Sequence, residues 1–141
     1  MEQLFFYLVL MNFALIGYGK MGHAIEALGN QQGHSFPLII DAHNQTELNQ
    51  NRIGGIDAAI EFTLPSSAPA NIMKCIDMNL PVVCGTTGWN EQIPQLEAYC
   101  RERRAFMIVD IPEKTNSVDK MATAISSTDF PKSDHAPVYF P

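Results

Sequence analysis

Hydrophobic residues along this chain switch repeatedly between two spacings. Phe13–Ile16 is a short apolar run that stops at a glycine. Continuous rather than alternating runs mark strands buried on both faces. Met21, Ala24, Ile25 and Leu28 then fall at i, i+3, i+4 and i+7, the stripe of one helix face. Gly29, Asn30 and Gly33 read as stop signals. Strand character returns over Ser35–Asp41, with Pro37 at odds with a central strand. Residues 43–55 read as a polar loop with a short helix at most, and Asp57–Phe62 as a third buried strand. A second helix follows, with Ser66 or Ser67 to cap it, Pro69 in its first turn, and Ile72 and Ile76 forming a stripe with Leu80. Pro81–Cys84 is a fourth strand. Asn90 can cap a third helix carrying Ile93, Leu96 and Cys100, and Ala105–Val109 is a fifth strand. Alternating strands and helices with short connections predict right-handed crossovers and a parallel sheet covered on both faces.

The pattern ends near Asp110. Residues 111–141 carry Pro112, Pro131, Pro137 and Pro141 among many polar residues, with one weak helical stretch through Val118, Met121 and Ile125. The expected organisation is an N-terminal extension over 1–11, one domain over 12–110 and an irregular tail over 111–141. A chain of 141 residues suits a single domain of this kind. Its early apolar run from Leu4 is shorter than the ~18 residues of a membrane span. Glu2 is the only charge before Lys20, so a signal peptide's basic start is missing. An extension feeding the first strand is the expectation, with Met11 an equally good start site. A net charge of −6 argues against nucleic acid as partner. Three cysteines, an odd number without a C-x-x-C pair, argue for a reducing cytoplasm and against a disulfide framework, and no metal-ligand spacing is present.

The candidate chemistry begins at Gly17-Tyr18-Gly19-Lys20-Met21-Gly22, a G-x-G-x-x-G string between a buried strand and an amphipathic helix. Gly17 allows the turn off the strand, Gly19 lets the backbone approach a pyrophosphate, and Gly22 lets the helix pack close. The helix start adds free N–H groups and about half a positive charge. Asp41 ends the second strand about 20 residues later, where a dinucleotide domain places an acid on the adenosine ribose. Ala42, His43 and Asn44 follow it, offering no Lys or Arg to a 2′-phosphate. NADH is therefore the expected cofactor and NADPH the alternative, with Lys20 able to compensate in part. Glu61-Phe62-Thr63 and Gly85-Thr86-Thr87-Gly88 end the third and fourth strands, at the same sheet edge. Together these give a Rossmann-type, doubly wound α/β fold.

Three strings carry a resemblance to a known family: ALIGYGKMG from Ala14 to Gly22, AIEFTLP from Ala59 to Pro65, and PVVCGTTGW from Pro81 to Trp89. Over about residues 12–109 the chain resembles 4-hydroxy-tetrahydrodipicolinate reductase (dihydrodipicolinate reductase) of the bacterial lysine and diaminopimelate pathway. The resemblance implies that Gly17–Gly22 hold the pyrophosphate and Asp41 the adenosine ribose. It also implies that Phe62 and Thr63 flank the nicotinamide half, with Gly85, Thr86 and Thr87 beside it.

Members of that family continue with an Ala-Ser-Asn-Phe-Ser-like segment. A second domain then brings a His-His pair and a K-x-D-A-P-S-G-T stretch for substrate and proton donation. Here Val109-Asp110-Ile111-Pro112 stands at the first, and Lys132–Pro137 only echoes the second. The expectation is a cofactor-binding half without catalytic residues of its own, inactive or nearly so alone, and oligomeric only through the missing domain. His23, His34, His43 and His135 are expected to be structural or solvated, and the thiols buried and inert. The alternatives are the cofactor domain of an aspartate or homoserine dehydrogenase-like enzyme, and a non-catalytic nucleotide-binding module.

Overall fold

The structure is a computed structural model and describes residues 10–109. The tail, its weak helical stretch and the extension before Leu10 lie outside those residues. The strands are β1 (Asn12–Ile16), β2 (Ser35–Ile40), β3 (Ala58–Glu61), β4 (Val82–Cys84) and β5 (Met107–Val109). The helices are α1 (Lys20–Gln31), α2 (Ala68–Asp77) and α3 (Ile93–Glu102), with short 3-10 turns at Gln45–Glu47 and Asn90–Gln92. All pairings are parallel, in the order β2-β1-β3-β4-β5.

Side-chain alternation sends each strand into two cores. Phe13, Leu15, Ala58, Ile60 and Val83 pack with Ile25 of α1 on one face. Ala14, Ile16, Ala59, Val82, Cys84 and Met107 pack with Ile72 and Ile76 of α2 and with Ile93, Leu96 and Cys100 of α3 on the other. A fully buried side chain of this size contributes roughly 1.5–3 kcal/mol. The strand runs are continuous in sequence because both of their faces are covered. Winding starts outward from β1 to β2 and then reverses across β1 to β3. The crevice between β1 and β3 is thus the topological switch point of a Rossmann-type fold.

Several local details differ from the sequence reading. Pro37 sits in edge strand β2, at an irregularity where the register slips between Asn12 and Ala14, so its missing N–H costs no central ladder bond. Helix α1 runs past Gly29, which is buried because a Cβ there would lie 2.4 Å from the Phe36 ring. The stop comes from Gly33, at φ +90°. Ala24 is exposed; Gly22, Ile25 and Gly29 make the buried face instead. Ser67 stands at the N-cap of α2 without a side-chain capping bond, and Asn90 opens a 3-10 turn rather than capping α3. The 43–55 loop is less polar in place than in composition, since Leu48 and Ile53 are buried in the core. Among the described residues no helix is long and apolar enough to cross a membrane.

Candidate functional site

Backbone bonds bring the strand ends to one level. The Gly17 amide donates to the Ile40 carbonyl at 2.8 Å, the Phe62 amide to Ile16 at 2.7 Å, and the Gly85 amide to Glu61 at 2.9 Å. The loops that follow β1, β2 and β3 therefore open together. They surround a cleft of about 480 Å³ lined by Gly17, Tyr18, Gly19, Asp41, Phe62 and Thr63 among the expected residues. The size is that of a small-molecule site. His43, Gln45, Leu64, Ser67 and Asn71 also line it and were not singled out as ligand contacts from sequence.

The glycines of the first loop have different reasons for being glycine. Gly17 has φ +101°, and a Cβ there would sit 1.8 Å from the Phe62 carbonyl oxygen. A Cβ on Gly22 would sit 2.4 Å from the Gly17 carbonyl oxygen. Both are demanded by the protein's own backbone. Gly19 is different: among the described residues a Cβ there would meet nothing within 4 Å, and its φ of −85° suits any residue. Its bareness leaves the cleft wall open and serves no contact among those residues. Gly19 is also the N-cap of α1, with no side-chain cap and no acid in the first turn to neutralise the helix's positive end.

His23 braces this loop. Its Nδ1 lies 2.8 Å from the Gly19 carbonyl, which can only accept, so Nδ1 carries the proton. Its own amide donates to the same oxygen at 3.0 Å. The imidazole stacks on Tyr18 at 3.8 Å between centroids. The Tyr18 hydroxyl donates to Glu26 Oε1 at 2.6 Å, and that bond holds the phenol above its usual pKa. Lys20 is exposed at the first position of α1, while Met21 packs into the core beside Ile25.

At the end of β2 the Asp41 amide donates to Asn44 Oδ1 at 2.7 Å, and Asp41 Oδ1 accepts the His43 amide at 2.7 Å. The carboxylate is thus oriented while it stays exposed on the cleft. No Lys or Arg lines the cleft among the described residues.

Gly85, Thr86 and Thr87 do not line the cleft. Gly85 makes room for the Phe62 ring, which would lie 1.9 Å from a Cβ. Thr87 is exposed. Thr86 is buried: its hydroxyl accepts the Thr63 amide at 2.8 Å and its carbonyl accepts Trp89 Nε1 at 2.7 Å. Glu61 opens the Glu61-Phe62-Thr63 string, and sequence reasoning gave it no role of its own. It is 0% exposed and accepts from Thr63, Thr86 and Cys84. A charge closing an otherwise apolar buried strand was the available signal.

His34 is buried and accepts the Met11 amide on Nδ1 at 3.1 Å. Cys75, Cys84 and Cys100 are buried free thiols. Among the described residues no group of three or more His, Cys, Asp or Glu is placed to hold a metal ion.

The family model described as "Dihydrodipicolinate reductase, N-terminus" matches residues 11–111, which takes in the whole described sheet and all three helices. The chain belongs to this family. Over 100 residues, 70% of its length, it is 38% identical to a protein of Christiangramia forsetii named 4-hydroxy-tetrahydrodipicolinate reductase, of which it covers 40%. A protein of the same name from Bifidobacterium longum is 36% identical over 75 residues, 52% of this chain and 29% of that protein. The chain therefore spans well under half the length of these curated relatives.

Proposed function

We propose that this chain is the nicotinamide-dinucleotide-binding part of a 4-hydroxy-tetrahydrodipicolinate reductase, serving lysine and diaminopimelate biosynthesis. The observation that carries the reading is Gly19, whose missing side chain no contact among the described residues requires and which leaves the cleft wall bare above an uncapped helix start. A pyrophosphate fits that combination, because the amides of a helix's first turn donate to an anion and the bare backbone admits it closely. Gly17–Gly22 would hold the two phosphates, with Lys20 adding charge at the surface. Asp41, oriented by the His43 amide, would accept from the adenosine ribose hydroxyls. A 2′-phosphate would meet that carboxylate in a cleft that no Lys or Arg lines among the described residues, which favours NADH over NADPH. Phe62 and Thr63 would flank the nicotinamide half. Gly85 lets the Phe62 ring seat, and Thr86 fixes the Thr63 amide. Bound there, the reduced nicotinamide supplies the hydride for reduction of a C=N bond, and the resemblance leaves substrate anchoring and proton donation to the family's second domain.

Titration calorimetry with NADH tests this directly. The wild-type chain should bind one NADH, and Gly19→Val should bind at least about tenfold more weakly while staying folded, with no more than about 1 kcal/mol lost at the N-cap. Equal affinity in the two proteins would remove the pyrophosphate assignment.

A further inference from the structure

Glu61 closes a strand of four buried residues, and among the described residues no cation pairs with it. A carboxylate so placed is costly unless hydrogen bonds replace its water. Its neighbours supply them by register. Cys84 lies directly across the β3–β4 ladder, and Thr63 and Thr86 are two residues beyond each of the paired positions. Thr63 Oγ1 donates to Oε1, while Thr86 Oγ1 at 2.8 Å and Cys84 Sγ at 2.9 Å donate to Oε2.

A hydroxyl has one proton and two lone pairs. Thr86 gives its proton to Glu61 and takes the Thr63 amide, and it does not line the cleft. Thr63 does line the cleft. Its amide is spent on Thr86. Its hydroxyl proton goes to Glu61 over the other acceptor found among the described residues, the Leu64 carbonyl at 3.5 Å. The Thr63 hydroxyl can therefore offer a ligand only lone pairs. We propose that Glu61 is a positioning residue that fixes Thr63 as a hydrogen-bond acceptor, so that this end of the cleft takes a donating group and disfavours an acceptor-only one such as a carboxylate or phosphate. The inference rests on the dinucleotide reading and deepens it, since the nicotinamide half offers ribose hydroxyls and a carboxamide NH2 as donors. Glutamine at this position would present an N–H to at least one hydroxyl and free a Thr proton to turn elsewhere.

The test is titration of NADH and of ADP, which shares the adenosine and pyrophosphate but has nothing beyond them. The proteins are wild type, Glu61→Gln, Thr63→Val, Thr63→Ser and the double variant Glu61→Gln/Thr63→Val. Glu61→Gln and Thr63→Val should each weaken NADH about tenfold and leave ADP within about twofold. The double variant should be no weaker than Thr63→Val, because Glu61 acts through that hydroxyl. Thr63→Ser should bind as wild type. Unchanged NADH affinity in Glu61→Gln, an equal loss for ADP, or multiplying effects in the double variant would overturn the proposal. If Glu61→Gln does not fold, the Thr63 pair decides: equal NADH affinity of the Val and Ser variants overturns it. A wild type that binds ADP but not NADH overturns it while sparing the pyrophosphate site, and one that binds neither removes the dinucleotide reading as well.

Discussion

Gly17 and Gly19 are two residues apart and do unlike work. Gly17 is strained for any other residue by its φ of +101°, and a side chain there would run into the Phe62 carbonyl, which belongs to backbone and cannot swing away. Gly17→Ala should therefore lower folding stability by at least about 3 kcal/mol, read from urea denaturation, whereas Gly19→Val should cost no more than about 1 kcal/mol, the difference between glycine and valine at an N-cap. If Gly17→Ala were neutral, the close crossing of the first and third strand ends would be wrong. The bend after β1 and the tight start of α1 were legible in the sequence because a glycine turn followed by a helical stripe is a local pattern, although the Phe62 carbonyl that Gly17 must clear is not local. The position of Asp41 at the end of β2 was legible for the same local reason. Glu61 was not, since the groups that make sense of its burial include Cys84 and Thr86, 23 and 25 residues away, and only the register of β3 on β4 brings them in. The same register explains why Thr86, expected beside the ligand, is turned inward to hold Thr63.

At the level of elements, periodicity located all five strands and three helices, and it failed mainly at their ends. Ends depend on single hydrogen bonds, and the capping side chains offered by Ser67 and Asn90 are not used. The layer formed by α2, β4 and α3 carries a consequence for pH. Burial first, and the Glu61 carboxylate second, push the Cys75 thiol up to about 12. The same two causes raise Cys84 further, and burial takes Cys100 to about 11. A thiol kept protonated by folding leaves stability untouched below its ordinary value near 9. Above that, unfolded thiols ionise while folded ones do not, and stability falls until the folded value is reached. The slope is at most about 1.4 kcal/mol per pH unit for each deeply buried thiol. Urea midpoints between pH 8 and 11 should fall more gently for Cys75→Ala than for wild type, whatever the substitution costs at pH 8. Parallel curves would mean that Cys75 is not held protonated by the fold.

On the scale of the whole molecule, one edge of the sheet collects the cleft while the rest of it is packed on both faces. The order β2-β1-β3-β4-β5 is what does this: helices leave β1 and β3 for opposite faces, and the gap they leave opens at the strand ends. A ligand seated there touches three loops that share no local sequence, so binding ties them together and is linked to folding of the whole domain. At a free concentration 100 times its Kd, a ligand that binds only the folded chain adds about 2.7 kcal/mol, and for a domain of this size each kcal/mol raises the melting midpoint by about 4–8 °C. NADH should therefore raise it by roughly ten degrees or more. On the proposed reading NADPH at the same concentration should raise it less, because its extra phosphate would meet Asp41 and, among the described residues, no Lys or Arg lines the cleft. Amide exchange measured alongside should slow at 17–22, 41–45 and 62–64 together, and change least at β5, which ends the sheet on the far side. Slowing confined to one of those loops would place the ligand away from the switch point, and an equal shift with NADPH would remove Asp41 from the cofactor preference.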